Sequence, residues 1–380
     1  MSLLAGKTVA IATHVFGSGP ADALEKYARE KAARVLVVRH AFSYARSVDS
    51  VVRRWEGGEL VHEARVPWHG KVPEPITWMK DLFLDLLWGS RSRGKIDVFV
   101  GIDSLNASAG LALRRARKVR RTVFWTIDYV PERFESHLLN SVYHAFDRFC
   151  VRRCDVTWNV SPRMEPARRE RGIIGPQQVV EIGANVRPRR APADPPQIIF
   201  VGHLLEKQGV QLALRALPTI VAEAPDVRLL VIGDGPYREA LDALARELGV
   251  AGAVDFGGYV DRHEEVEDRI AESVVGLAPY DPSIASFTEY ADPGKVKNYL
   301  AAGIPVITTP VVHSAEELAA EGAAIVIPYD SNALATAVIS ILADPMRQVQ
   351  LRESAARVGA RSDWTAVFDR AFSDGRITGP

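Results

Sequence analysis

The stretch Tyr290–Thr309, YADPGKVKNYLAAGIPVITT, predicts a helix that runs directly into a buried strand. Asp292–Gly294 breaks the preceding segment, so we expect a helix to begin near Lys295 with its free backbone N–H groups directed outward. The helix is expected to end at Gly303, and Ile304–Thr308 has the apolar composition of a strand in a parallel sheet. A helix N-terminus with a lysine attracts anions, so the stretch predicts a phosphate site.

Outside this stretch, β-type apolar runs alternate with helical patterns along both halves of the 380-residue chain. Val186–Gln197, VRPRRAPADPPQ, has four prolines and no apolar period, which is typical of a linker. The pattern predicts an α/β protein with two Rossmann-like, doubly wound domains, 1–186 and 187–363, followed by a C-terminal helix in 364–380. The predicted strands are Thr8–Thr13, Val35–Val38, Asp97–Gly101, Thr122–Thr126, Val156–Val160, Ile198–Gly202, Arg228–Ile232, Val254–Gly257, Val274–Ala278, Pro305–Thr308 and Ala324–Ile327.

The composition is that of an ordinary globular protein, with 47% hydrophobic and 25% charged residues. No apolar run reaches the length of a membrane span and no signal peptide is indicated, so we expect a cytoplasmic location. Cys150 and Cys154 fall on one helical face, which favours reduced core thiols over a disulfide or a zinc site.

The net charge of zero conceals opposite charges in the two halves of the chain. Residues 1–190 contain 32 Lys and Arg against 20 Asp and Glu, whereas residues 191–380 contain 15 against 27. A basic half can face nucleic acid, an anionic membrane or a phosphorylated substrate, or the two domains simply attract each other. No zinc motif, helix-turn-helix signature or RNP motif is present, so nucleic acid is not an expected partner.

Three glycine-containing turns follow predicted strands of the second domain. Phe200–Gly209, FVGHLLEKQG, places Gly202 at a strand end and Lys207 before a helix, where an ammonium group can reach a bound diphosphate. Val231–Pro236, VIGDGP, and Phe256–Val260, FGGYV, follow the next two strands. Taken singly, each turn is more typical of a structural tight turn than of a ligand site.

Together with the K-x-x-N-Y-L-A-A-G-x-P-V-I run, these turns resemble the nucleotide-sugar site of family 4 GT-B glycosyltransferases, in the family's order and approximate spacing. The resemblance implies the GT-B fold, in which two Rossmann-like domains face a cleft and a C-terminal helix crosses back to the first domain. It also implies that the second domain binds a nucleoside-diphosphate sugar. The implied donor-binding residues are Gly202, His203, Lys207, Gly233, Asp234, Gly235, Tyr259, Tyr280, Gly294, Lys295 and Asn298.

The two glutamates that family 4 enzymes usually carry, with seven residues between them, are replaced here by Tyr290 and Asn298. The spacing of Lys295 and Asn298 is more similar to the A-D-x-x-x-K-x-x-Q-Y pattern of xanthan-type glucuronosyltransferases, which also have the GT-B fold and invert the anomeric configuration. This second resemblance implies a UDP-sugar donor, with Tyr280 over the uracil or the ribose.

An inverting transfer needs a general base on the acceptor side, which the resemblance places in the first domain. Asp128 follows the strand that ends at Thr126, as the catalytic aspartate of the xanthan-type enzymes follows a comparable strand; the alternative is that it caps its loop. His14, after the first strand, is the reserve base because imidazole titrates near neutral pH, and the alternative is a hydrogen-bonded loop histidine.

Further polar residues are expected at the same sheet edge, where they are candidates for acceptor binding. Gly17 and Ser18 precede a helix whose N-terminus can bind a phosphate, or they form a plain turn. Asp103 and Asn106 can hydrogen-bond to sugar hydroxyls, or they cap the helix that follows.

Two segments of the first domain indicate an anionic membrane partner. Ile76–Trp88, ITWMKDLFLDLLW, is an apolar helical run with tryptophans near its ends, and Arg114–Arg121 is a dense basic run. Aromatic-flanked apolar surface beside cationic charge suits interfacial binding. The alternative is a core-packed helix and a solvated charged face.

These patterns predict a glycosyltransferase that moves a sugar from a UDP-sugar to a glycan or lipid-linked acceptor at the cytoplasmic membrane face. No metal-binding cluster is evident, so we expect no metal and no other cofactor, with Lys207, Lys295 and helix N-termini stabilising the leaving diphosphate. A nucleotide-sugar 2-epimerase of the same architecture is the alternative enzyme. An inactive protein that binds a nucleotide sugar as a scaffold is the alternative without catalysis.

Overall fold

A computed structural model describes residues 3–15, 19–42, 49–68, 73–133, 136–284 and 289–379 of the chain. Its strands are β1 Thr8–Val15, β2 Arg34–Ala41, β3 Ser50–Glu56, β4 Glu59–Val66, β5 Ile96–Ile102, β6 Val119–Thr126, β7 Val156–Asn159, β8 Gln177–Val179, β9 Gln197–Val201, β10 Arg228–Ile232, β11 Val254–Gly258, β12 Val275–Ala278, β13 Val306–Thr308 and β14 Ala324–Val326. Its α-helices are α1 Pro20–Lys31, α2 Glu74–Ser90, α3 Ser104–Arg115, α4 His137–Arg153, α5 Met164–Glu170, α6 Val210–Glu223, α7 Arg238–Glu247, α8 His263–Ala271, α9 Gly294–Ala301, α10 Ala315–Ala320, α11 Ser331–Leu342, α12 Pro345–Gly359, α13 Trp364–Phe372 and α14 Gly375–Thr378.

The chain divides into two compact units, each built on its own sheet. Unit 1 comprises Met1–Glu181 together with Trp364–Pro380, and unit 2 comprises Ile182–Asp363. The sheet of unit 1 has the order β4-β3-β2-β1-β5-β6-β7-β8, and that of unit 2 has the order β11-β10-β9-β12-β13-β14. Helices alternate with the strands in both units. The predicted fold class, two Rossmann-like α/β domains, is confirmed.

The sheet of unit 1 contains strands that the periodicity did not predict. β3 pairs antiparallel with β2, and β4 pairs antiparallel with β3 across a turn at Gly57 and Gly58, both with positive φ. β4 lies at the edge and is largely exposed, so its sequence is rich in charge and lacks the apolar run of a buried strand. β8, at the other edge, has only three residues.

Unit 2 has an all-parallel sheet, and all six strands predicted for it are present. Apolar side chains of β9, β10, β12 and β13 face cores on both sides of this sheet, which explains their continuous hydrophobic runs. α9 begins at Gly294, one residue before the predicted start, and Gly303 has a φ of +73° just after its end.

The segment predicted as a linker, Val186–Gln197, is attached to unit 2. Before it, the backbone N–H of Ile182 donates to Asp292 at 2.8 Å. Within it, Arg187 Nε donates to Glu267 at 2.6 Å and Arg190 pairs with Glu272 at 2.7 Å. These contacts hold the segment against unit 2, so the boundary falls between Glu181 and Ile182, five residues before the predicted one.

The C-terminal segment packs within unit 1. The ring of Phe368 in α13 meets Trp125 of β6 edge to face, with centroids 5.7 Å apart, and Phe372 meets Trp158 of β7 at 5.1 Å. Tyr27 of α1 donates its hydroxyl hydrogen to Asp369 at 2.6 Å. One face of the predicted C-terminal helix is therefore buried in the aromatic core of unit 1.

Candidate functional site

In unit 2, the turns after β9 and β10 pack against each other at the carboxyl edge of the sheet. A Cβ on Gly233 would lie 1.9 Å from the carbonyl oxygen of Gly202, so only glycine permits this approach. His203 Nδ1 lies 2.7 Å from the carbonyl oxygen of Asp234, and the N–H of Gly235 donates to the Asp234 carboxylate at 2.8 Å. The two turns thus form one small surface, with His203 and Asp234 exposed on it.

Lys207 lies beside these turns, in the single 3₁₀ turn Glu206–Gln208 that leads into α6. Gly209 joins that turn to the helix with a φ of +77°, and a Cβ there would be 1.7 Å from the carbonyl oxygen of Pro279. The backbone carbonyl of Lys207 accepts a hydrogen bond from the N–H of Asp281 at 3.1 Å. This packing places Lys207 next to the segment that follows β12, where Tyr280 lies.

Lys295, in the first turn of α9, directs its ammonium group under the Gly202 turn. A Cβ on Gly202 would be 2.9 Å from Nζ. Nζ donates to Oε1 of Gln208 at 2.6 Å and lies 3.8 Å from the ring centroid of Phe200 and 5.1 Å from that of Tyr280. Across the described ranges Lys295 forms no ion pair, and burial lowers its pKa well below the ordinary value. The structure thus places a desolvated cation among neutral groups.

The remaining donor candidates differ in exposure. The Tyr280 ring is 3% exposed and packs within the apolar core, whereas Tyr259, after β11, is 61% exposed. Asn298 lies one turn after Lys295 on the same face of α9 and is half-buried, as is Gly294. Lys297, the other lysine of α9, is buried and lies 3.5 Å from the Asp292 carboxylate.

In unit 1, His14 meets Asp103 and Asn106 at the carboxyl edge of the sheet. Nδ1 of His14 lies 2.7 Å from Oδ2 of Asp103 and 3.1 Å from the amide nitrogen of Asn106. Asp103 is the N-cap of α3, accepts from the backbone N–H of Asn106 at 3.0 Å, and adopts an unusual φ of +76°. Its side chain is 42% exposed and Asn106 is buried. Asp103 therefore caps its helix and also presents a carboxylate to solvent.

The polar contacts of His14 continue into the interior of unit 1, through residues that the sequence analysis did not single out. Nε2 of His14 lies 3.2 Å from Asp81, whose other oxygen lies 3.1 Å from Nδ1 of His40. Nε2 of His40 lies 3.1 Å from Asp85. We call Asp103, His14, Asp81, His40 and Asp85 the His–Asp chain. The sequence feature that indicates this chain is the pair Asp81 and Asp85, two carboxylates one helical turn apart in an otherwise apolar run.

The His–Asp chain sets the protonation of its members. Burial lowers the pKa of His14, but the Asp103 charge and the hydrogen bonds to Asp103 and Asp81 outweigh it and raise that pKa to about 10. Burial likewise opposes the charge of Asp81, yet hydrogen bonds from His14 and His40 hold the pKa of Asp81 well below its ordinary value. Each ring nitrogen of His14 thus lies within hydrogen-bonding distance of a carboxylate, which favours the imidazolium form.

Asp128 lies two residues beyond the end of β6 and is exposed. Its backbone carbonyl accepts hydrogen bonds from Arg133 at 3.0 Å and from the Tyr143 hydroxyl at 3.3 Å. The loop is thus anchored through the main chain of Asp128. Gly17 and Ser18, the other acceptor candidates, lie outside the described residues. Within the described ranges no group of three or more His, Cys, Asp or Glu is arranged to hold a metal ion.

Two helices of unit 1 carry apolar side chains on exposed faces. α2 exposes Ile76, Trp78, Met79 and Phe83, and α4 exposes Leu138, Leu139, Val142, Phe146 and Phe149, which we call the α4 stripe. Both helices start at the carboxyl edge of the sheet, whereas the basic run Arg114–Arg121 leads into the amino end of β6. The exposed apolar side chains of α2 lie in its first half, whereas its C-terminal end lies beside the basic run, where Lys118 donates to the carbonyl oxygen of Ser92 at 2.7 Å. No helix in the described part of the chain is long and apolar enough to cross a membrane.

Comparison with known proteins identifies the fold. Solved structures that share the fold include sucrose-phosphate synthase from Thermosynechococcus elongatus, with a TM-score of 0.70, 18% identity, and 97% of this chain and 98% of that one covered. They also include HepE from Anabaena in complex with UDP and glucose, with a TM-score of 0.67, 14% identity and coverage of 96% and 99%. At these identities the similarity shows the fold alone, which is GT-B.

The sequence of unit 2 carries the more specific match. Residues 195–344 match the family model described as Glycosyl transferases group 1. The chain therefore has the GT-B fold, and residues 195–344 of its second unit are similar to the group 1 glycosyl transferases.

Curated relatives that match part of the chain have different named activities. A GDP-mannose-dependent alpha-(1-6)-phosphatidylinositol monomannoside mannosyltransferase from Mycolicibacterium smegmatis is 30% identical over 182 residues, which is 48% of this chain and 47% of that protein. A glycogen synthase from Mycobacterium tuberculosis is 28% identical over 248 residues, 61% of this chain and 56% of that protein. The chain thus spans about half the length of the relatives that it matches.

Proposed function

We propose that the protein is a glycosyltransferase that binds a nucleoside-diphosphate sugar in unit 2 and transfers the sugar to a glycan or lipid-linked acceptor. The observation that carries this proposal is the environment of Lys295. A buried ammonium group whose polar partner is the neutral Gln208 gains electrostatic energy when a phosphate replaces that partner. The adjacent N-terminus of α9 and the side chain of Lys207 provide further positive potential at the same sheet edge.

Transfer is proposed to proceed with inversion, because the K-x-x-N-Y run replaces the family 4 glutamates. Asp128 would take the proton of the acceptor hydroxyl while the hydroxyl oxygen attacks the anomeric carbon of the donor sugar. The bond between that carbon and the diphosphate breaks in the same step. Negative charge then develops on the leaving diphosphate, and Lys295 and Lys207 would stabilise it without a divalent ion. The exposed Asp103 carboxylate, held by His14, would accept a hydrogen bond from a second acceptor hydroxyl and orient the acceptor.

A UDP-sugar is the donor that we propose, from the similarity of the Lys295 and Asn298 spacing to the xanthan-type pattern. HepE was solved with UDP and glucose, and the mannosyltransferase is named for GDP-mannose, so the fold and the family accommodate both nucleotides. Tyr280 is buried beside Lys295. It would therefore contact the donor through its ring edge or after a local rearrangement, whereas the exposed Tyr259 offers an open ring.

The acceptor side is proposed to rest on an anionic membrane through the α4 stripe. Five large apolar side chains share this face of α4 with the exposed Arg148, Arg152 and Arg153. The acidic residue of α4, Asp147, is buried against Arg168. A face with apolar and cationic groups but no exposed carboxylate complements an anionic lipid surface. It would place the carboxyl edge of unit 1 at the cytoplasmic membrane surface, where lipid-linked acceptors are found.

The proposal is tested by thermal shift and calorimetry with UDP-, GDP- and dTDP-sugars, because selective binding raises stability by RT ln(1 + [L]/Kd). We expect one nucleotide series to bind, and Lys295→Ala to remove that binding. Arg246→Ala, an exposed charge on α7, is the matched control and should bind normally. Epimerisation of the bound sugar without transfer would identify the alternative enzyme, and binding without turnover would identify a scaffold. No binding of any sugar nucleotide would overturn the proposal.

A further inference from the structure

A cavity of about 500 Å³ lies at the amino edge of the unit 1 sheet, at the opposite edge from His14 and Asp103. Its walls come from the start of β1, β5 and β6, the end of α3 and the turn at α14. Basic side chains dominate the described lining: Lys7, Lys95, Arg114, Arg117, Arg120 and Arg121. We call this the basic cavity. Its acidic lining residue is Asp97, and none of its described lining residues is aromatic.

Two carboxylates hold part of this positive charge in place. Asp155 lies 2.7 Å from Arg114 and 3.4 Å from Arg121, and Asp97 lies 3.5 Å from Arg120. The other three cations have no carboxylate partner in the described part of the chain: Lys7 donates to the carbonyl oxygen of Thr378 at 3.3 Å, and Lys95 and Arg117 form no ion pair there. Six cations therefore face two carboxylates, and a positive excess is concentrated in a concave surface.

Local structure explains only a small part of this concentration. Arg114 lies in the last turn of α3, where the helix dipole favours a cation. Lys7, Lys95 and Arg120 belong to three other segments and converge on the cavity only through the strand order β1-β5-β6. Like charges that converge in a cleft repel one another and focus a positive potential, which an anionic ligand would relieve.

We infer that the basic cavity is a second anion site, for a ligand that carries two or more clustered phosphate groups. Recognition there would rest on charge and on arginine–phosphate hydrogen bonds, since the described lining offers no ring for a nucleobase to stack on. β5, with seven residues, separates the cavity from the carboxyl edge by about 20 Å. The ligand would therefore act as a regulator or an anchor and not as the acceptor. A soluble polyphosphate and a phosphorylated lipid headgroup share this chemistry.

The test uses the full chain and titrates it with sodium tripolyphosphate in a calorimeter at about 150 mM salt, where the Debye length is about 8 Å. Lys95→Gln with Arg117→Gln removes two cavity cations without leaving a carboxylate unpaired. The matched control, Arg91→Gln with Arg115→Gln, removes the same charge from exposed positions nearby that do not line the cavity. A parallel arm measures co-sedimentation with vesicles of neutral lipid in which a phosphorylated phosphatidylinositol is the anionic component.

Because the Lys295 site is also expected to bind phosphate, each titration is repeated with Lys295→Ala. We expect the cavity variant to weaken binding by about tenfold or more and the control by less than about twofold, in either background. If the cavity variant loses binding to tripolyphosphate, the ligand is a soluble polyphosphate. If it loses binding only to the vesicles, the ligand is a lipid headgroup. Equal losses in both double variants, disappearance of all binding with Lys295→Ala alone, or no binding in either arm would overturn the inference without bearing on sugar transfer.

Discussion

Nζ of Lys295 lies 2.6 Å from Oε1 of Gln208, so the polar partner of this buried ammonium group is a neutral amide. An amide satisfies one N–H of the ammonium group but does not neutralise its charge, and the aromatic rings of Phe200 and Tyr280 stabilise a cation only weakly compared with an anion. The site is organised before any ligand arrives, because Gly202, at the end of β9, leaves room for the lysine where a side chain would collide with it.

Lys295→Ala is expected to weaken binding of the preferred sugar nucleotide by about 1.5–3 kcal/mol, the contribution of a charge-assisted hydrogen bond. The free energy of unfolding of the unliganded protein should change little, because burial already disfavours the charged lysine. Calorimetry measures the affinity and urea denaturation measures the stability. Unchanged nucleotide affinity would remove Lys295 from the site.

Asp128→Asn is expected to lower kcat by about a hundredfold or more while the donor affinity stays the same, because the amide cannot accept the acceptor proton. Glu132→Gln, in the same loop, is the control and should retain activity. NMR of the product gives the anomeric configuration, which should be inverted. A retained configuration would point to the family 4 mechanism, and near-normal turnover would leave Asp128 with a structural role.

Protonated His14 is expected to stabilise unit 1 in a pH-dependent way. Its pKa in the folded protein, about 10, exceeds its ordinary value of 6.5, so folding favours the imidazolium. The stabilisation is fully present below pH 6.5 and is lost as the pH rises toward 10. The destabilisation caused by His14→Gln should therefore be larger at pH 6 than at pH 10, relative to the exposed control His62→Gln. A pH-independent difference in denaturation would contradict the charged state of His14.

Asp81→Asn is expected to destabilise the protein by about 3–5 kcal/mol, because it leaves two buried histidines without a shared counter-ion. Urea denaturation monitored by tryptophan fluorescence measures this change. Glu74→Gln, in the exposed first turn of the same helix, should cost far less. Imidazole ¹⁵N shifts provide an independent readout, since His14 should lose part of its proton affinity in Asp81→Asn. Near-normal stability and shifts would show that the His–Asp chain is not electrostatically coupled.

The α4 stripe is expected to mediate binding to anionic vesicles. Phe146→Ser with Phe149→Ser should reduce co-sedimentation markedly, because each substitution removes a large apolar side chain from the membrane interface. Met346→Ser with Val349→Ser, which removes exposed apolar groups from α12 of unit 2, is the control. Binding should also fall as salt screens the arginines of α4. Equal binding by both double variants would locate the membrane contact elsewhere or exclude it.

Local sequence determined most of unit 2, because its strands and turns carry their own signals. The apolar runs of β9, β10, β12 and β13 are continuous because both faces of the sheet are covered, and glycine is required where the Gly202 and Gly233 turns meet. The edge hairpin β3–β4 escaped prediction because an exposed strand needs no apolar period. The proline-rich segment after Glu181 has the composition of a linker, and local sequence does not reveal its contacts with unit 2. Those contacts are ion pairs with residues about eighty positions further along the chain, in and just after α8.

Only the tertiary structure decided which polar residues meet. Lys295 and Gln208 are 87 residues apart, and Asp81, His14 and His40 come from one helix and two parallel strands. Side-chain contacts of this kind depend on strand order and register, which the spacing of residues along the chain does not encode. For the same reason, six cations from distant segments gather in the basic cavity. The sequence alone thus predicted the glycine turns at the carboxyl edge of the unit 2 sheet, whereas the partners of the charged groups followed from the fold.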